Sequence, residues 1–180
     1  MTHASELDPQ ILELLQRMFD LARAGEAAEV QGWLEQGVPV NLTNEKGDTL
    51  LMLAAYNSQP EVVRVLLEAG ADASRANDRG QTPLQAAAFK GELDMVRLML
   101  DLGVDVDSPG PDGRTALFLA AMFDRSEMLE LLLNRGADLN ARDAAGFSAL
   151  DAARQMGAQN TAARLAELMA AGTSAAERHS

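Results

Sequence analysis

The apolar positions of this chain fall into short helical stretches that return at a fixed interval. Val62, Val63, Leu66 and Leu67, then Met95, Val96, Met99 and Leu100, then Met128, Leu129, Leu132 and Leu133 keep i, i+3, i+4 spacing, and each set lies 33 residues after the last. Such spacing puts one apolar stripe on each of three short amphipathic helices. Upstream of each stripe runs a second apolar stretch, opened by Thr49, Thr82, Thr115 and, in a fourth copy, Ser148. Leu51, Leu84, Leu117 and Leu150 come two residues later, followed by Ala54 and Ala55, Ala87 and Ala88, Ala120 and Ala121. Thr82 before Pro83 is an N-cap followed by a first helical position, so a helix starts there in each unit. The alanine pairs let neighbouring helices approach closely. The fourth copy reads Ala153 and Arg154, a charge where a further repeat would have to pack, so the stack should end there.

Two glycine series punctuate these helices. Gly70, Gly103 and Gly136 follow the second helix of each unit, where a left-handed C′ residue is needed. Gly47, Gly80, Gly113 and Gly146 precede the hydroxyl residues by two positions, and Asn77, Asp78, Arg79, Gly80 is turn chemistry. The unit is therefore helix, tight turn, helix, then a hairpin-like finger leading to the next copy. A chain of such stacked units offers an extended surface rather than a catalytic pocket.

The string Gly80, Gln81, Thr82, Pro83, Leu84, with Ala87, Ala88, Gly91, Val96, Leu100 and Gly103, resembles the ankyrin repeat, and the likeness covers nearly all of residues 10–171. The resemblance implies an all-α solenoid of stacked helix-turn-helix units with short fingers. The expected organisation is a flexible segment 1–9, an N-terminal capping unit 10–43, repeats 44–76, 77–109 and 110–142, a C-terminal capping repeat 143–171, and a disordered tail 172–180. In the N-terminal unit Leu14 stands where the turn glycine would be, so helices without a finger are expected there. One departure runs through every copy. The family usually has His after Thr-Pro-Leu, and this chain has Met52, Gln85, Phe118 and Asp151, so the hydrogen-bond network that His makes between repeats is reduced or rebuilt.

Composition narrows the partner. The chain has 180 residues, is 47% hydrophobic with 4% aromatic, and carries a net charge of −12. An acidic chain without clustered Lys and Arg does not suit nucleic acid or an anionic membrane surface, and a basic partner face fits better. No cysteine is present, which removes disulfides and thiolate metal sites. The first ten residues lack a basic n-region, and no apolar run approaches the roughly 20 residues that cross a bilayer, so a cytoplasmic chain is expected. Lys46 and Lys90 stand against 13 arginines, a bias expected of a GC-rich bacterial genome.

Catalytic chemistry finds little to build on. The two histidines, His3 and His179, sit in the terminal segments, which leaves no imidazole for a Ser-His-Asp or Cys-His arrangement in the repeats. The glycines follow the repeat and form no phosphate loop. Asp105 to Asp112 superficially suggests a calcium loop, but Pro109 occupies a ligand position and Ala116 the twelfth, where a bidentate Glu belongs. That segment reads as a finger stiffened by Pro109 and Pro111, with the usual tip acid replaced by Gly110. No catalytic residue, cofactor or metal site is expected.

What varies between copies and still projects from the surface is free to carry recognition. In the resembled family the binding face is concave, formed by the finger tips and the exposed ends of the first helices. Here those helix ends read Tyr56 and Asn57, Phe89 and Lys90, Met122 and Phe123, Gln155 and Met156. With helices stacked about 8–10 Å apart, Tyr56, Phe89 and Met122 should form a stripe roughly 20 Å long, broadened by Phe123 and Met156. The plainer reading is that these side chains fold back onto neighbouring helices. Lys46 and Asp48, Arg79 and Gln81, Asp112 and Arg114 would give a finger rim of mixed sign. The expected function is non-catalytic binding of another protein through this groove, by a chain that is a monomer because it is capped at both ends. Two other readings stand beside it: an acidic inhibitor masking a basic nucleic-acid or substrate site on its target, and an enzyme or small-molecule binder with a pocket between repeats.

Overall fold

A computed structural model describes the backbone of residues 8–177 and the side chains of residues 8–174. Among the described residues ten helices run in order: α1 (Pro9–Ala24), α2 (Ala27–Glu35), α3 (Leu50–Tyr56), α4 (Pro60–Glu68), α5 (Pro83–Lys90), α6 (Leu93–Asp101), α7 (Ala116–Met122), α8 (Ser126–Asn134), α9 (Ala149–Met156) and α10 (Gln159–Glu177). They pair as antiparallel hairpins. The first members, α1, α3, α5, α7 and α9, form an inner row, and the second members form an outer row behind them.

The inner helices begin where the hydroxyl residues predict. The side chains of Thr49, Thr82, Thr115 and Ser148 accept from the backbone N–H three residues on, each in extended geometry. Ala54, Ala55, Ala87, Ala88, Ala120 and Ala121 are completely or almost completely buried between neighbouring inner helices. Arg154, at the corresponding place in α9, is exposed, because no further inner helix covers it. Outer-helix residues Val62, Val63, Leu66, Val96, Met99, Leu129 and Leu132 close the core from behind. The core therefore runs as a strip along the stack, with Leu, Ala, Val and Met its main side chains.

The fingers are loops rather than strands. Isolated bridges pair Thr43 with Thr49 and Arg142 with Ser148, and Gly47, Gly80, Gly113 and Gly146 take positive φ at their tips. In the first, second and fourth fingers an Asn or Asp carboxyl or amide oxygen braces the turn. Asn44 Oδ1 accepts from the amides of Lys46 and Asp48, Asn77 Oδ1 from Arg79 and Gln81, and Asp143 Oδ1 from Ala145 and Phe147. Gly110 holds that place in the third finger and has no side chain to brace with.

Two terminal expectations change. Pro9, assigned to a flexible segment 1–9, is the first residue of α1, with Asp8 as its N-cap accepting from the Gln10 amide. Residues 172–177, read from their small polar composition as a disordered tail, continue α10 as helix. Ala175 and Ala176 have the highest intrinsic helix propensity, and a helix already docked through Leu165 propagates through them at little cost. Residues 1–7 and 178–180, with His3 and His179, lie outside the described residues. Among the described residues no helix is long and apolar enough to cross a membrane.

Candidate protein-binding groove

Between the fingers and the C-terminal ends of the inner helices runs a groove. Its N-terminal end is a cleft of about 1260 Å³, bounded by α1 and the first two fingers. The N-terminal unit has a longer first helix in place of a finger: α1 is 16 residues long, against 7 or 8 for α3, α5, α7 and α9, and its extra turns bring Leu12 and Leu15 to the cleft wall. Leu12, Leu15, Phe19, Met52 and Tyr56 line the cleft together with Lys46 and Arg79.

Tyr56, Phe89, Phe123 and Met156 remain 41%, 40%, 39% and 57% exposed at successive inner-helix ends. Phe89 and Phe123 meet edge to face, with ring centroids 5.1 Å apart at 81°. Such a contact fixes both rings without hiding them. Met122, expected to continue the stripe, is instead half-buried. Phe123, the C-cap of α7, is the exposed residue at this helix end instead.

A ladder of cross-repeat hydrogen bonds lies along this edge. The last carbonyls of a helix lack internal partners, and here the next unit supplies them. Gln59 Nε2 donates to the Arg23 carbonyl at 2.8 Å, Lys90 Nζ donates to the Tyr56 carbonyl, and Arg125 Nη2 donates to the Phe89 carbonyl at 3.2 Å. Lys90 Nζ also sits 4.6 Å from the centre of the Tyr56 ring, a cation–π contact. Each cation is thus held against an aromatic-bearing helix end of the preceding unit.

The finger residues divide. Lys46 and Arg79 are exposed and form no ion pair among the described residues. Gln81 is half-buried, its amide held by Asn77. Asp48, expected on the exposed rim, is 6% exposed and serves inside the fold: its carboxylate accepts from Asn77 Nδ2 at 2.8 Å and from Asn44 Nδ2, tying the first finger to the second. Arg114 is half-buried, 5.3 Å from the Phe118 ring centre, with Asp112 and Asp143 as ion-pair partners at 3.5 and 3.7 Å. Asp112 in turn accepts from the Arg114 amide. The departure from His is answered in one copy only. Buried Gln85 donates through Nε2 to the Arg114 carbonyl of the next unit and accepts from the Thr82 amide.

Sequence reasoning did not single out Arg125. Its position in the chain marks it only as a turn residue, and its direction, back toward Phe89 of the preceding unit, depends on how two units stack. Asp124 beside it is likewise functional in the stack. Its carboxylate accepts from the Thr161 amide at 2.9 Å and from Asn160 Nδ2 at 2.8 Å, and these bonds hold it below the ordinary carboxylate range.

Comparison with known proteins gives the same unit. A family model described as ankyrin repeats in three copies matches residues 18–110, and a single ankyrin repeat model matches residues 112–144. A Pseudomonas aeruginosa protein whose name assigns it to the ankyrin repeat proteins is 49% identical over 60 residues, a match that covers 33% of this chain and 35% of that protein. Hydroxyl-capped inner helices, buried alanine pairs and left-handed glycines after the outer helices and at the finger tips are the physical content of that match, and the chain belongs to the ankyrin repeat family.

Proposed function

We propose that this chain is a non-catalytic recognition module that binds another protein along the groove between its fingers and its inner-helix ends. Ankyrin repeats typically bind other proteins, which supports the class; the row of Tyr56, Phe89, Phe123 and Met156, large apolar side chains left open at successive units, carries the reading for this chain. Side chains of this kind, set on rigid elements, dominate binding energy at interfaces. The stack is preorganised, so little ordering entropy is lost on association. The apolar row anchors the partner, while Lys46, Lys90, Arg79, Gln81, Asp112 and Arg114 select it, directly or by shaping the rim.

The test is Phe89→Ala with the natural partner, once isolated by affinity capture on the chain. Binding weakens by more than about 1 kcal/mol while the far-ultraviolet helical signal is unchanged. An unaltered affinity removes the apolar row from the reading.

A second reading, the masking of a basic site on a target, draws on one observation. The outer helices α2, α4, α6 and α8 carry Glu29, Glu35, Glu61, Glu68, Asp94, Asp101, Glu127 and Glu130; Glu29, Glu61, Asp94, Asp101 and Glu130 pair with Arg17, Arg64, Arg97, Arg135 and Arg164, and Glu35, Glu68 and Glu127 form no ion pair among the described residues. Binding through that face would fall steeply with salt and would ignore Phe89.

A further inference from the structure

We infer that the helix side of the groove takes a partner segment in which bulky apolar side chains alternate with carboxylates. This rests on the groove reading above and specifies the chemistry of what lies in it. A net charge of −12 points to a basic partner, but the net charge is not the charge of the groove.

The carboxylates on the groove side are largely spent inside the fold. Asp124 is held by Thr161 and Asn160, Asp151 by Ser148 and Arg142, and Asp112 and Asp143 face Arg114. Asp48 is buried against Asn77, and Glu92 lies 3.9 Å from Lys90. Glu45 and Asp78 on the first two finger tips, and Glu26 in the first inter-helix turn, are acids of this side that make no such bond among the described residues. The cations are spent differently. Lys90 and Arg125 bond to main-chain carbonyls, which fixes their position; Arg125 forms no ion pair among the described residues, and the 3.9 Å contact with Glu92 answers the Lys90 charge in part. Lys46 and Arg79 form no ion pair among the described residues.

Lys90 lies over Tyr56, Arg125 bonds the carbonyl of Phe89, and Phe89 meets Phe123. Going along the groove, aromatic surface and fixed positive charge therefore alternate over two successive units, Tyr56 with Lys90 and Phe89 with Arg125. A ligand that satisfies both needs an apolar side chain for each ring and an anionic oxygen for each cation, at a spacing set by the repeat. A protein segment rich in Leu, Phe or Met with interleaved Glu or Asp has that chemistry. Single-stranded nucleic acid also combines stacking surface with negative charge, but the outer helices and Glu45 and Asp78 would repel a continuous phosphate backbone.

The probe is a phage-displayed library of random 12-residue peptides, selected on the full chain, with a single-stranded oligonucleotide of mixed sequence as competitor. Selected peptides are expected to be enriched in apolar residues and in Glu and Asp, and to shift the resonances of Tyr56, Phe89 and Phe123 in the isotopically labelled chain. The decisive variant is Lys90→Gln with Arg125→Gln. Gln59 makes the same carbonyl bond from the position that Arg125 holds two units later, so Arg125→Gln keeps that helix end capped and removes the charge, while Lys90→Gln keeps an amide donor at position 90. The double variant should bind the selected peptides roughly 10-fold more weakly at low salt, with an unchanged melting temperature.

Enrichment in Lys and Arg, undiminished binding to the double variant, displacement by the oligonucleotide, or no enrichment at all overturns the inference. If Phe89→Ala still weakens binding to the natural partner in any of those cases, the groove reading stands and only the acidic character of the ligand fails.

Discussion

At the scale of single residues, Gly110 shows how a stacking contact can outweigh local turn chemistry. Its counterparts Asn44, Asn77 and Asp143 brace their fingers, and the turn alone would favour the same in the third. A Cβ at Gly110 would stand 2.6 Å from the Gly80 carbonyl oxygen and 3.1 Å from Gln85 Oε1. Gln85 and Gly110 are thus two halves of one arrangement: the Gln side chain reaches the Arg114 carbonyl through the space that glycine leaves. Gly110→Asn, which restores the residue type of the neighbouring fingers, should destabilise the protein by about 1–3 kcal/mol in urea unfolding, because the clash is with backbone. A stabilised variant would mean that finger and Gln85 move apart easily.

At the scale of elements, the turn between inner and outer helix carries a series that is partly hidden in the sequence. Positions 25, 58, 91, 124 and 157 all have positive φ, and glycine fills three of them. Ser58 and Asp124 take the same conformation without being glycine, with φ of 57° and 55°. Asp124 has a compensation, since its carboxylate anchors the first turn of α10 to the end of α7 through Thr161, whose hydroxyl also donates to the Ala121 carbonyl. The bond from the Thr161 amide is the chief cause of its lowered pKa. Its contribution to stability is therefore complete above the ordinary carboxylate value and is lost as pH falls through the lower folded value. Asp124→Asn tolerates the left-handed backbone and keeps a carbonyl acceptor, but does not titrate. Wild type should melt higher than this variant at neutral pH, and the gap should narrow as the pH falls below the ordinary carboxylate value and through the lower folded one. A gap that is constant with pH would remove the charge from the explanation.

At the scale of the whole molecule, each unit is held mainly by its neighbours, so damage at one end should stay there. Leu165 of α10 is completely buried and closes the C-terminal end of the core strip. Leu165→Asp places a charge in that end without touching α1 to α6. Amides of α9 and α10 should lose their hydrogen-exchange protection, while those of α3 to α6 keep most of theirs. Uniform loss along the chain would show a cooperative unit longer than nearest-neighbour coupling allows. The same linear logic separates the two faces: acids collect on the outer helices, and apolar side chains with fixed cations collect along the groove.

The sequence by itself determined the repeat, the helix starts and the finger glycines, because caps, left-handed turns and i, i+3, i+4 spacing are properties of a few adjacent residues. Thr49, Thr82, Thr115 and Ser148 cap in the structure as their order in the chain predicts. Tyr56, Phe89, Phe123 and Met156 could be located at helix ends for the same reason. Only the tertiary structure decided which of them face outward, that Met122 turns in, that Asp48 is consumed between two fingers, and that Lys90 and Arg125 cap the unit before their own. Those outcomes depend on contacts between residues about 30 or more positions apart, and no local pattern records the direction in which one unit lays its side chains on the next.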